Sequence, residues 1–474
     1  MMKSYDHVLN SNNRQGIVIG RFLGEKMDNE LYTWIEEKLD VPIAQWLQSH
    51  QNWGNGGSIH TLPVYKEKSG VECIYVVGLG RRHKKSDLFT YIGKVLAERT
   101  SKDRLEKLTF FWMSFNDGRQ EKLEEFKKII SGYYSVEQLD GTKIEPSFIF
   151  DDEEDNSNLY NRILSVEKYL SEKNSAYQRI LESPNVLMSV EEMMSMFKRL
   201  PKLENVEMDF FNEHDLQSLG MGGISSSVEI EEKPRLVKLT YNPSQVKDKG
   251  TNLFLIGVGG INQKVKRIRN NKQDIQLIYP DRLGALLALF VFEQICMRDL
   301  RIPITILCPI TSSSDFLEKE HIRLMNGEVL FKDSPRKELL AILSDTITFA
   351  KQEKASEIVT LASFTPQITS LLGDRYSLVM SNDEKIQLKF QRRDGDASKR
   401  SWLLPFDLSG EREPRGEIEE LFKLGKWALP TPWFHVETLD TFLQKGQVND
   451  HYSIKEETDF LVSLLLELSS ETVG

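Results

Sequence analysis

"LFLIGVGGINQKVKRI", residues 253–268, is an apolar run that ends in a glycine turn and then in a cluster of positive charge. Apolar residues without alternation mark a strand buried on both faces, as in a sheet covered by helices on either side. Runs of the same kind are "RLVKLTY" at 235–241, "PITILCPI" at 303–310 and "EIVTLASF" at 357–364. Helical stretches lie between them, near 282–298 and 337–353. The second half of the chain is therefore expected to hold a mostly parallel or mixed central sheet flanked by helices.

Working outward, the first part also alternates. "GIVIGRFLG" at 16–24, "ECIYVVGLG" at 72–80 and "LTFFWMSF" at 108–115 read as strands, and "DLFTYIGKVLAERT" at 87–100 as a helix. That alternation predicts an α/β layer. The acidic stretch "DDEEDNSN" at 151–158 interrupts it, and "LYNRILSVEKYLSEKNSAYQRIL" at 159–181 places apolar residues at helical spacing. After "SPN" at 183–185, "SVEEMMSMFKRL" at 189–200 gives a further helix. The organisation expected is an N-terminal α/β domain over 1–155, a linker helix over 156–182 and a second α/β domain over 183–474.

A chain of 474 residues exceeds what one compact core holds. Its 40% hydrophobic and 28% charged residues are ordinary globular values. The net charge of −10 argues against nucleic acid or anionic lipid as a partner of the whole surface. The run "LGALLALFVF" at 283–292 is about half the length that spans a bilayer, so no membrane partner is expected. The N-terminus shows no apolar run of the signal-peptide kind. Cys73, Cys296 and Cys308 sit in apolar stretches with no CxxC spacing, which fits buried free thiols in a reducing cytoplasm.

The glycine turn fails the dinucleotide test. Gly257 and Gly259 fill two of the three positions, but Asn262 stands at the third, and no GKS or GKT follows. "VVGLGRRHKK" at 76–85 likewise lacks its third glycine. There is no GxSxG and no HExxH, and the eight histidines are scattered. Neither His60, after "WGNGGSI", nor His435, in "PWFHVE", has a Cys or Asp at triad-like spacing.

The order of segments carries more than any one motif. "LGMGGISSSVEIEEKPRLVKLTYNPS" at 219–244, "LFLIGVGG", "PDRLGALLAL" at 280–289 and "TLASFTPQITSLLG" at 360–373 together resemble the leucyl aminopeptidase (cytosol aminopeptidase, M17) family. In that family the corresponding patterns are "GMGG", "GKGITFDSGG", "DMGGAA", "NTDAEGRL" and "ATLTGA...LG". The resemblance implies a macro-like N-terminal α/β domain and a C-terminal aminopeptidase-like α/β domain. It implies two divalent metals, Mn or Zn, held by one lysine, three aspartates and one glutamate, with a second lysine and an arginine assisting. Two hard cations side by side need many anionic oxygens, so a census of ligands tests whether the chemistry is present.

Laying "GKGITFD" on "GVGGINQ" puts Val258 at the lysine ligand and Gln263 at the first aspartate. The family's spacing from that lysine to the next aspartate is kept, and Asp281 stands there. Asn270 falls at the assisting lysine. In "FKDSPRKELL", Asp333 matches an aspartate, Pro335 replaces the glutamate and Lys337 stands for the arginine. The vestigial ligands are thus Asp281 and Asp333, and Val258, Gln263, Asn270, Pro335 and Lys337 are degenerate positions. The implied reading is a catalytically inactive member with no metal cofactor.

Beside the turn, Lys264, Lys266, Arg267, Arg269 and Lys272 form either a solvated basic loop or an anion-binding, carboxylate-pairing group. Nucleic-acid binding through this loop is a further alternative, disfavoured by the acidic balance. In "REPRGEIEELFKLGKWALPTPWFHVETLD" charged residues replace the small ones that precede the family's final "W.HLDIAG". The family's assembly implies a homo-oligomer, a hexamer above all, or co-assembly with an active aminopeptidase. "TDFLVSLLLEL" at 458–468, apolar almost all round, is read as an interface helix. A metal-dependent aminopeptidase with shifted ligands is the alternative.

Overall fold

The computed structural model describes residues 14–24, 30–65, 70–81, 88–115, 122–136, 144–149, 157–182, 190–226, 235–243, 252–262, 280–281, 283–311, 320–364, 376–391, 400–404, 406, 418–437 and 454–470. The chain divides into two compact units, residues 1–175 and 176–474.

The first unit begins with β1 (Gln15–Phe22), α1 (Glu30–Leu39), α2 (Ile43–Ser49), β2 (Ile59–Pro63), β3 (Val71–Gly80) and α3 (Leu88–Lys102). It continues with β4 (Lys107–Phe111), α4 (Lys122–Tyr134), β5 (Glu145–Ile149) and the start of α5 (Ser157–Glu182), the helix within which the two units divide. The sheet order is β2-β3-β1-β4-β5, with β2 alone antiparallel. One face packs Ile17, Ile19, Trp34 and Ile35, the other Val18, Val77, Ile92 and Phe126, so the continuous apolar run of β1 is the mark of a two-sided core. The strand expected over 108–115 stops at Phe111. There Ser114 Oγ donates to the Phe111 carbonyl and accepts from Gly20 N–H, which turns 112–115 into a 3-10 helix over the end of β1.

The glycines of "VVGLG" have a packing cause. A Cβ on Gly78 would lie 2.0 Å from the Asn55 carbonyl, so the chain at 53–58 rests directly on the strand. Their close approach is to protein backbone.

The second unit contains α6 (Val190–Phe197), β6 (Val206–Phe211), α7 (Glu213–Ser218), α8 (Gly222–Ser225), β7 (Arg235–Tyr241), β8 (Leu253–Gly257), β9 (Ile261–Asn262), β10 (Pro280–Asp281) and α9 (Leu283–Met297). There follow β11 (Ile304–Ile310), β12 (Glu320–Arg323), β13 (Val329–Lys332), α10 (Pro335–Gln352), β14 (Glu357–Ala362), β15 (Tyr376–Ser381) and α11 (Glu384–Gln391). The last elements are β16 (Arg400–Leu404), α12 (Glu419–Ala428), β17 (Trp433–Glu437) and α13 (Ile454–Ser470).

Eight strands make one mixed sheet, β16-β15-β17-β14-β8-β11-β7-β6. Its centre, β17, β14, β8 and β11, is parallel. The helix α9 is buried from Leu283 to Ile295, which explains its apolar surface all round. Against it lies α13: Gln294 Nε2 donates to Thr458 Oγ1 at 3.0 Å, Arg298 stands 3.8 Å from Asp459, and Leu461, Leu464 and Leu465 are fully buried. The apolar girth of 458–468, read from sequence as an interface helix, is therefore used within its own unit. Leu466 remains exposed.

Candidate functional site

Four parallel strands end along one edge of the large sheet, and the chain runs from β8 to β11 on one side and then back across to β14 on the other. Their carboxyl edge at β8 and β14 is thus a topological switch point, where open α/β sheets form their binding crevices. The glycine turn of the opening sequence lies there.

The backbone of that turn is engaged by its neighbours at several points. A Cβ on Gly257 would lie 2.3 Å from the Gly284 carbonyl, so the turn abuts the first turn of α9. Val258 N–H donates to the Leu361 carbonyl at 3.3 Å, and the Val258 carbonyl accepts from Ala285 N–H at 2.9 Å. Gly259 N–H reaches the Pro309 carbonyl at 3.0 Å, and its own carbonyl accepts from Thr311 N–H at 2.8 Å. Gly260 has φ +110°, and a Cβ on it would fall 1.7 Å from the Thr311 carbonyl. The glycines let three strand ends and a helix meet at backbone distance. Cradling a phosphate is not required to explain them.

Val258 is fully buried, in one apolar cluster with Ile256, Leu340, Leu343, Ala362 and Phe364. Its side chain offers no donor to a cation, and its neighbours in the cluster are hydrocarbon. Asp281 pairs through its backbone with Ile261 in the short β9–β10 ladder, which brings it beside the turn in register. Gln263, Lys264, Lys266, Arg267, Arg269, Asn270 and Lys272 lie outside the described residues. Pro335 stands at the start of α10, capped by Ser334 Oγ accepting from Lys337 N–H.

Asp333 and Lys337 are brought together, with each other. Asp333 is exposed, and its two oxygens accept from Lys337 Nζ at 3.0 and 3.1 Å, one helical turn apart. The hydrogen bond from that ammonium holds the Asp333 carboxyl below the usual carboxylate range. A surface ion pair of this kind is not a ligand waiting on a cation. The buried acid of this turn is Glu338, 2% exposed, on the helix that packs against β8 and β9. Sequence reading fixed its register on the visible Asp333 and passed over it; the apolar spacing of Leu339, Leu340, Leu343 and Ile347 around it was the available signal.

A second constellation escaped the sequence reading. Trp433 Nε1 donates to Thr360 Oγ1 at 3.1 Å, Thr360 Oγ1 lies 3.0 Å from His435 Nδ1, and His435 Nε2 lies 3.0 Å from Glu437 Oε2. An indole N–H only donates, so Thr360 accepts it and passes its own proton on. The 3.0 Å contact to Nδ1 takes that proton in preference to the Phe434 carbonyl at 3.5 Å. His435 then donates from Nε2 to the Glu437 carboxylate. Histidine and acid stand two apart on one strand, hence on one face, which was the legible signal. With His435 at 0% and Glu437 at 2% exposure, the chain ties β14 to β17 and fixes a carboxylate at the carboxyl edge.

The described donors do not fit a two-metal centre. Val258 supplies no ligand atom, Asp333 is engaged by Lys337, and among the described residues no three His, Cys, Asp or Glu side chains converge as a cation cage.

Comparison with known proteins gives the class. Residues 175–445, more than half of the chain, match the model of the cytosol aminopeptidase family, catalytic domain, and the chain belongs to that family. A probable cytosol aminopeptidase of Bacillus subtilis (strain 168) is 22% identical over 478 residues, covering 92% of each chain. The cytosol aminopeptidase of Rickettsia prowazekii (strain Madrid E) is 22% identical over 446 residues, covering 88% of this chain and 85% of its own. Among solved structures, a tomato leucine aminopeptidase mutant superposes with TM-score 0.67 at 14% identity, covering 97% of this chain and 95% of that one. The bottromycin maturation enzyme BotP, in complex with Mn, gives TM-score 0.65 at 14% identity over 96% of this chain and all of that one. These likenesses show the fold, a mixed α/β sheet flanked by helices. Among the described residues no helix is long and apolar enough to cross a membrane.

Proposed function

We propose that this chain is a member of the cytosol aminopeptidase family that has given up two-metal peptide hydrolysis and works in the cytoplasm as an oligomeric binding or scaffold protein. The observation that carries the reading is Val258: the residue that the family's pattern sets at its lysine ligand is a fully buried valine inside an apolar cluster. Pro335 and Gln263, at further ligand positions, bear no negative charge, and Lys337 has its ammonium committed to Asp333. A pair of dications repel one another and are held only by a surplus of anionic oxygen. The remaining role is one that needs the folded body: assembly as a homo-oligomer, a hexamer by analogy with the family, or with an active aminopeptidase. The basic residues 264–272 are then available to hold an anion or a carboxylate, with nucleic acid a less suited occupant given the net charge of −10.

One observation favours the enzymatic reading. Glu338 is a buried acid at the start of α10, and with Asp281 it could contribute to a displaced centre taking Mn or Zn. The two readings part in an assay. Purified protein supplied with Mn or Zn is expected to leave leucine amides and leucyl peptides intact, and to show by light scattering a mass several times that of one chain. Metal-dependent release of leucine would establish the second reading; a monodisperse monomer would remove the scaffold from the first.

A further inference from the structure

Asp345 lies in the middle of α10, at 0% exposure. Its Oδ2 accepts from Gly223 N–H at 2.6 Å and Ile224 N–H at 3.3 Å, both in α8. Its Oδ1 accepts from Met325 N–H at 2.7 Å, in the turn between β12 and β13. One carboxyl group therefore fastens two distant pieces of chain to the helix. The attachment leaves no slack: a Cβ on Gly223 would lie 2.3 Å from the Ala341 carbonyl, and one on Gly222 would lie 2.1 Å from the Arg323 carbonyl. Asn326 Nδ2 adds a contact to Ser344 Oγ at 3.2 Å.

Two effects oppose each other at this carboxyl. Three amide donors favour the ionised form, which has acceptors only. Full burial disfavours it, because an anion taken out of water needs a counter-charge. Among the described residues no counter-charge pairs with it. Of the elements packed on α10, α8 carries no titratable side chain. The β12–β13 hairpin brings Glu320, His321, Arg323, Glu328 and Lys332, α12 brings Glu419, Glu420, Lys423 and Lys426, β11 brings Cys308, and α10 itself brings Arg336, Lys337, Glu338 and Lys351. Lys332 pairs with Glu320, Lys423 with Glu419 and Lys337 with Asp333, and among the described residues the groups that bear on Asp345 are the three amides.

We infer that Asp345 is a proton-operated staple that seats α8 and the β12–β13 turn on α10 while neutral and eases their release once ionised. The hairpin continues through Asp333 directly into the start of α10, beside β9, so release would change the border of the sheet edge described above. This device does not depend on whether that edge is catalytic. Burial outweighs the three amides and pushes the Asp345 carboxyl up to about 7, so both forms are present at neutral pH. The sign follows from linkage. The closed state binds the proton more tightly than an opened state in which the carboxyl meets water, so opening grows as pH rises from the ordinary aspartate range to about 7, and then levels off.

Amide hydrogen exchange on the full chain reads this directly. After correction for intrinsic exchange, the opening equilibrium at Gly223, Ile224 and Met325 is expected to rise about ten-fold per pH unit between about 5 and 7 and to flatten above. In Asp345→Asn, which carries no titratable group there, the same amides are expected to open equally at every pH. A flat profile in the parent protein, or one that falls with pH, would overturn the inference. Should Asp345→Asn not fold, carbon-13 carboxyl shifts of aspartate-labelled parent protein replace it: one aspartate titrating near neutrality supports the staple, and none between about pH 6 and 8 overturns it.

Discussion

Replacing Val258 is the sharpest perturbation, because a ligand position and a core position respond in opposite ways. Val258→Ala removes two buried carbons, about 0.8 kcal/mol each in transfer. The cavity left beside Ile256, Leu340 and Phe364 brings the loss to roughly 2–3 kcal/mol. Val258→Lys loses the same packing and adds an ammonium that either stays charged without a partner or gives up its proton, a further cost on the order of 3–5 kcal/mol. Urea unfolding followed by tryptophan fluorescence, with an unchanged slope as the check on the unfolded state, measures both. Trp433, fully buried in the same cluster as Val258, reports on this unit. The order expected is parent, then Ala, then Lys. A Val258→Lys protein as stable as the parent, and binding Mn or Zn that the parent does not, would show that the pocket still accepts a lysine ligand and would refute the argument.

Three further outcomes follow from the geometry. Gly260→Ala forces a side chain onto φ +110° and the Thr311 carbonyl, and is expected to cost at least about 2–3 kcal/mol in the same unfolding assay, whereas Gly327→Ala, at φ +89° with open space around it, costs about 1 kcal/mol. Burial pushes the Cys73 thiol up to about 11 and the Cys308 thiol higher still, so neither should react with iodoacetamide at pH 8 until the protein is unfolded, as mass spectrometry of the alkylated chain would record. Asp333→Asn should leave both the urea midpoint and the retained metal unchanged, since the Asp333–Lys337 pair is exposed; a fall in bound metal would return Asp333 to the ligand set.

Where burial on two faces wrote an apolar run, the strand was readable: 235–241, 303–310 and 357–364 coincide with β7, β11 and β14 within two residues. The helices over 159–181, 282–298 and 337–353 are α5, α9 and α10 to within a few residues. Edge and hairpin strands were not readable, because β6 alternates exposed acids with half-buried apolar residues and β12–β13 are only four residues each. The site was legible only as segments in order. Val258 as a degenerate position came from the family resemblance, but Glu338 needed the helix register of α10, and the His435 to Glu437 pairing needed to be seen as one face of a strand. Asp345 left no trace in the sequence at all, since its partners are backbone amides of residues more than a hundred positions earlier and of one twenty positions earlier.

Metal stoichiometry puts the central claim to its most direct test. Protein dialysed against Mn or Zn, then against metal-free buffer, is weighed for metal by elemental analysis against its concentration. With Val258 in the apolar cluster and Asp333 bound to Lys337, far less than two equivalents per chain should remain. Two tightly held ions per chain would contradict the account and restore the two-metal centre.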